Sequence, residues 1–165
     1  MSERTRPTVL TRWKERSRRQ ESETAPTDAL RDGDGDSAAR LTAALVQAGS
    51  PREAVAAVFD EVERITGADA IFLALVDAER AWATGFAARG VDEDWWRGVS
   101  VDLEHEPTGI AAAARERAPF AVYDIESAPN VSRRIAATVG AKSAAFVPFI
   151  ADGRVVAVLV AATTR

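Results

Sequence analysis

Titratable side chains crowd together in one place, Glu104-His105-Glu106, around the sole histidine of the chain. Carboxylates flanking an imidazole are the residue types of metal binding and of general acid–base work. Successive residues in an extended chain cannot turn toward one ion, and no second histidine exists to complete a set. The triplet therefore reads as a solvated charged loop. There is no cysteine, which removes disulfides, thiolate metal sites, cysteine nucleophiles and thioether-linked chromophores together. No serine or aspartate stands in a motif of defined spacing with a base, so no activated nucleophile is visible. Neither G-x-G-x-x-G nor a Walker loop is present to cradle phosphate. These residue types point away from catalysis, and no cofactor or metal is expected.

The element that must position any site is the stretch Ser143 to Ala162. Two apolar runs flank Asp152-Gly153, the pattern of a hairpin closed by a two-residue turn with positive φ at both centres. In its first strand Phe146 and Ile150 point one way, and Val147 and Phe149 the other. In its second, Val155 and Leu159 oppose Val156, Val158 and Val160. Both faces are apolar, so the hairpin is expected in the middle of a sheet covered on both sides. Pro148 removes a ladder hydrogen bond, which predicts a bulge or gap at Val147-Pro148.

Upstream, Ser50-Pro51-Arg52-Glu53 is a capping box with proline in the first helical position. Val55, Val58, Phe59, Val62 and Ile65 then recur on one face up to Gly67. A shorter helix, Ala38 to Ala48, precedes it, with Leu41 and Leu45 on one side. Asp69 to Val76 and Arg80 to Ala88 read as a strand pair, with Trp82, Thr84 and Phe86 on one face of the second. Asp92 to Arg97 is a short helix carrying Trp95 and Trp96. Val99, Val101 and Leu103 alternate as an edge strand. Ile110 to Ala118 is an alanine-rich helix, Phe120 to Tyr123 a short strand, and Val131 to Val139 a last helix. This order makes an α+β domain with a largely antiparallel sheet.

The 165 residues suffice for one domain, and a net charge of −4 gives no bulk attraction to nucleic acid or an anionic membrane. No apolar run is long enough for a transmembrane helix or a secretory signal, so the cytoplasm is the expected compartment. Residues 1–37 read as a disordered charged tail and 38–165 as the domain. Residues 1–20 balance to +5 and residues 21–37 to −5. The basic half, with Trp13 inside it, has the make-up of a nucleic-acid or membrane arm. The adjacent acids compete for the same cations, so the tail reads as self-neutralising.

The run Gly109 to Asp124, then Pro129, Gly140-Ala-Lys-Ser143, Val147-Pro148 and Asp152-Gly153-Arg154 onward to Leu159, resembles the second half of a GAF domain. The segment Ser50 to Asp77 is similar to its first half. The resemblance implies a five- to six-stranded, mostly antiparallel sheet with terminal helices on one face. Short helices and loops would cover a small-molecule pocket on the other. Bilin attachment, the sulfoxide reductases of this fold and its iron–sulfur members all depend on cysteine, which is absent. Phe59-Asp60-Glu61 looks like part of the cyclic-nucleotide signature, but it sits in the wrong helix. His105 precedes the covering helix instead of lying on it, which argues against haem. The implied pocket draws on Trp82, Phe86, Trp95, Trp96, Thr108, Ile110, Phe120, Tyr123, Asp124 and Phe146. Only one of Phe146 and Phe149 can face it, and Asp124 is equally suited to holding local backbone N–H groups. The expectation is a non-enzymatic sensory module that binds a small molecule and signals through a partner protein. A ligand-free dimerisation or protein-interaction module, its homodimer built on the terminal helices, is the alternative. The chain ends at Arg165 with no output domain in view. The output is expected from a partner or through the N-terminal tail, unless the chain is a fragment.

Overall fold

The computed structural model describes residues 27–165. Residues 1–26, most of the segment read as a tail, lie outside it. Helix α1 spans Thr27–Gln47, so the helix placed at Ala38 already begins inside that segment. Alanine, leucine and arginine carry it by helix propensity through Gly33 and Gly35, with no continuous apolar stripe to announce it. The chain divides after Ala43 into two compact units, and the second, Ala44–Arg165, holds the sheet.

The capping box forms as its residue types require. Helix α2 (Pro51–Thr66) is opened by Ser50, whose hydroxyl accepts from the Glu53 N–H at 3.2 Å. The Glu53 carboxylate reaches back to the Gly49 N–H at 2.7 Å, so two otherwise orphaned donors are satisfied reciprocally. Six strands follow: β1 (Ala70–Asp77), β2 (Trp82–Arg89), β3 (Ser100–Asp102), β4 (Phe120–Val122), β5 (Ser143–Ala151) and β6 (Arg154–Thr163). They form one sheet in the order β3-β2-β1-β6-β5-β4, with every neighbouring pair antiparallel. Three short helices connect them: α3 (Glu93–Arg97), α4 (Gly109–Glu116) and α5 (Arg133–Val139). This is the α+β architecture expected from the order of elements.

The sheet separates two apolar layers. On one face Phe59, with Val55, Val58 and Val62 of α2, packs against Ile71, Leu73, Ala157 and Leu159. On the other, Phe72, Phe146, Val158 and Val160 meet Trp96, Ile110, Ala113 and Ile125 from the connecting segments. The hairpin is central and greasy on both sides. Its turn carries Asp152 at φ 49° and Gly153 at φ 72°, the two positive angles a type I′ turn demands.

Two details of the hairpin differ from the pattern-based reading. Pairing runs unbroken through Val147↔Leu159, Pro148↔Val158 and Phe149↔Ala157. The irregularity falls one step later, where Ile150 pairs with Val155 and Val156 is left over. Pro148 is tolerated because β4 pairs only with residues up to Phe146. Beyond that point β5 has no strand on its second side, and an edge position can do without a donor. The extra residue at Val156 also turns Val155 to the other face. Val155 joins Val158 and Val160 in the layer of connecting helices, not Leu159 in the layer of α2.

Candidate functional site

Register across the sheet decides where open space can lie. Phe72, Val160, Phe146 and Phe120 stand in one transverse row of paired residues. The next row is Ala70, Ala162, Ala144 and Val122. A row of large side chains beside a row of methyl groups leaves a step in the floor, and the step is not filled. A cavity of about 40 Å³ lies over it, lined from the floor by Phe72, Ala144, Phe146, Val160 and Ala162.

The walls come from the connecting segments. Asp92 caps α3 by accepting the Trp95 N–H, and the helix delivers Trp96 to one side with its ring centroid 4.9 Å from that of Phe72. The indole Nε1–H donates to the Leu73 carbonyl at 2.9 Å. Thr108 caps α4, its Oγ1 accepting from the Ala111 N–H at 2.9 Å, and starts a second wall with Gly109 and Ile110. A Cβ on Gly109 would lie 2.2 Å from the Phe146 ring, so glycine is what lets α4 settle on the sheet. Ile125 adds a third wall. The roof is α5 and its flanks, through Val131, Ser132, Ile135, Ala136, Val139 and Ala141. Trp96, Thr108, Ile110 and Phe146 are each at most 5% exposed, whereas α5 contains no buried residue. The roof is the loosely seated wall.

Four of the ten expected pocket residues line this cavity: Trp96, Thr108, Ile110 and Phe146. Phe120 stacks on Phe146 from behind, with centroids 5.0 Å apart and planes at 19°. Trp95 leans on Trp96 with centroids 6.1 Å apart and planes tilted by 45°. Trp82 and Phe86 fall on the opposite side of the sheet. Ala83 points into the layer of connecting helices, so its neighbour Trp82 faces outward, and Phe86 packs with Phe59 and α2. Tyr123 is 76% exposed. Asp124 is turned to local work, accepting from the Glu126 N–H at 3.1 Å and the Ser127 hydroxyl at 2.8 Å. Those bonds, the Ser127 hydroxyl first, hold its carboxyl below the usual range. A count of aromatics misses the α5 roof entirely, although Val131, Ile135 and Val139 recur every four residues as a helical stripe.

Phe86 lines a different feature, an open cleft of about 410 Å³ between α2, β2 and α3. Its charges are already matched. Arg89 meets Asp60 at 2.6 Å and Glu63 at 3.0 Å, and Arg52 and Arg97 both contact Glu93. The cavity under α5 is the better candidate, being lined almost wholly by apolar side chains and free of competing ion pairs. His105 stays at the surface, its ring against the Asp102 carboxylate, and among the described residues no group of three His, Asp or Glu side chains could hold a metal. No helix among them is long and apolar enough to cross a membrane.

A carboxylate at the same end of the sheet, next to the alanine row, ties the last residues down. Asp69 accepts from the Thr164 N–H at 2.7 Å, the Thr164 hydroxyl at 3.0 Å and Arg165 at 3.2 Å. The Thr164 N–H is the chief cause of a carboxyl held below its ordinary range. A lowered folded-state pKa adds stability above the unfolded value and loses it as pH falls through the folded one. Acidification below about pH 4 is therefore expected to release the C-terminal residues. Asp69→Asn should show a shallower loss of stability than the parent over that window, measured by urea titrations at stepped pH. Identical pH dependence of the two proteins would remove the clamp.

The family model described as GAF domain matches residues 48–165. Among solved structures, the chain is similar to the GAF domain from an Acinetobacter phosphoenolpyruvate-protein phosphotransferase, at 15% identity and TM-score 0.67, covering 79% of this chain and 76% of that one. The GAF domain of the corresponding Coxiella burnetii protein gives 16% identity and TM-score 0.69, over 79% and 77%. A free methionine-R-sulfoxide reductase from Neisseria meningitidis gives 16% and 0.62, over 76% and 70%. Likenesses at this identity show the fold. No curated protein matches the sequence.

Proposed function

This chain belongs to the GAF domain family, and from that premise we propose that it is a non-enzymatic sensory module, binding a small molecule in the cavity under α5 and signalling through a partner protein. The family is one of sensory and regulatory domains, and the observation that carries the reading is the cavity itself. Its floor and sides are tightly packed, while its roof is a short helix without a single buried residue. At about 40 Å³ the cavity has room for water-sized occupants only, so a ligand enters by lifting the roof. That displacement is the signal available to a partner.

Sulfoxide reductase activity is not expected, since the reductases of this fold work through cysteine and this chain has none. Native mass spectrometry of the protein, with a thermal-shift screen against a metabolite library, tests the reading. An added mass or a raised midpoint is expected, and it should vanish in Ala136→Trp, which plugs the cavity from the roof. A protein that is empty and silent across the library would end the proposal.

A homodimer is favoured by one observation. Val46 and Leu45, near the end of α1, are 81% and 41% exposed, an adjacent apolar pair that a second copy of the chain would cover. Sedimentation at tens of micromolar is expected to give a dimer that Val46→Asp dissociates; a monomer in the parent would exclude it.

A further inference from the structure

The chemistry of the cavity wall narrows what can enter it. Not one lining residue carries a charge. Three charged neighbours are engaged elsewhere. Arg134 of α5 reaches the Ser100 carbonyl at 3.4 Å and Glu106 at 3.5 Å. Lys142 pairs with Glu126 at 2.7 Å, and Asp124 is held by its own turn. The lining offers polar side chains at two positions. Thr108 already accepts the Ala111 N–H and is 3% exposed. Ser132 stands at the cap position of α5 yet makes no capping hydrogen bond with its side chain.

An ionised carboxylate or phosphate brought against this apolar lining would give up much of its hydration and meet no cation among the lining residues, a transfer that costs more than the apolar contacts return. An uncharged ring meets the reverse situation. Phe72, Trp96 and Phe146 are part of the lining and offer a ring the edge and offset contacts that aromatic pairs favour. Ser132, which lines the cavity and makes no capping bond, supplies a hydroxyl to pair with one hydroxyl or carbonyl on the guest.

We propose that the ligand of this cavity is a small, uncharged, single-ring molecule bearing at most one hydrogen-bonding group, and that anionic ligands such as nucleotides and carboxylates are excluded by the absence of any counter-charge. The assignment rests on the sensory reading above and deepens it. It also sets Ser132 as the residue that distinguishes a hydroxylated ring from a plain hydrocarbon.

The experiment compares toluene, phenol, benzoate and cyclic AMP on the full chain, by thermal shift and by the Trp fluorescence that Trp96 contributes. Toluene and phenol are expected to bind at least about 100-fold more tightly than benzoate, since an unpaired carboxylate's desolvation costs several kcal/mol and each tenfold is about 1.4 kcal/mol. Ser132→Ala should weaken phenol and leave toluene unchanged. Ala136→Leu, on the half-exposed roof where folding is least at risk, should weaken both. Ala144→Leu repeats the test from the floor should the first variant fail to fold. Benzoate or cyclic AMP binding that Ala136→Leu removes would overturn the neutral-ring assignment while leaving the sensory cavity intact. Binding of any probe that neither filling substitution affects, or no binding by any of the four together with an empty library screen, would overturn both.

Discussion

Gly85→Ala is expected to destabilise the domain by about 3 kcal/mol, the upper end of what overpacking a core costs. A Cβ at this position would lie 1.9 Å from the Trp96 carbonyl oxygen and 2.7 Å from the carbonyl carbon. Both are backbone atoms, so no side chain can swing away and α3 must move as a unit. The helix is not free to do so. The Gly85 N–H donates to Val99 O at 3.0 Å, and Arg97 Nε donates to Phe86 O at 3.3 Å, fastening both ends of the turn to the same strand. The close approach follows from a bulge. Leu73 pairs with Ala87 and Ala74 with Gly85, leaving Phe86 as the extra residue of β2. Urea denaturation reads the loss directly. A change under about 1 kcal/mol, the range of an ordinary substitution, would mean that α3 slides on the sheet and that the bulge does not hold it.

The second large effect is expected at Trp96 and separates packing from hydrogen bonding. Trp96→Ala should cost about 3–5 kcal/mol, the range for emptying a buried aromatic site, since the indole is 1% exposed and rests on Phe72. Trp96→Phe keeps most of the ring contact but leaves the Leu73 carbonyl without its indole donor. An orphaned buried acceptor costs about 1–3 kcal/mol. That carbonyl sits where the β1–β2 register shifts, so the side chain supplies the bond an irregular ladder would otherwise lack. Equal stability of the Phe variant and the parent, in the same urea titrations, would show that water takes over the carbonyl and that Trp96 acts by bulk alone.

These two sites mark where sequence reasoning stops. The hairpin, the Ser50 cap and the order of eleven elements are local matters, set by turn residues, capping spacing and periodicity within a few positions. Reading Phe146 and Phe149 to opposite faces needs only the period of a strand, and it holds. The bulges at Phe86 and Val156 are not local. Each depends on which partner strand is opposite, and each reverses alternation beyond it, which is why Val155 changes sides and Pro148 does not break the ladder. The pocket is half visible for the same reason. Residues on the first turns of α3 and α4 are placed by their caps, so Trp96, Thr108 and Ile110 can be named. Counting aromatics also brings in Trp82 and Tyr123, which are conspicuous by type but face outward. It passes over Ala144 and Ala162, whose smallness creates the space. Absent bulk leaves no mark in a sequence until the register sets it beside Phe146 and Val160.

Ala70 lies directly opposite Ala162, so the chain enters its first strand and leaves its last at the same end of the sheet. A pull applied through those two points runs along the direction in which the antiparallel hydrogen bonds open, not across them. The bonds would therefore break in succession, in the manner of a peeled strip, with no whole row sharing the load. The Asp69 carboxylate, holding Thr164 and Arg165, is the first link such a peel would meet. Mechanically this is a soft joint between two rigid strands, secured at its mouth by one residue, Asp69, through its carboxylate and its N–H to the Ala162 carbonyl.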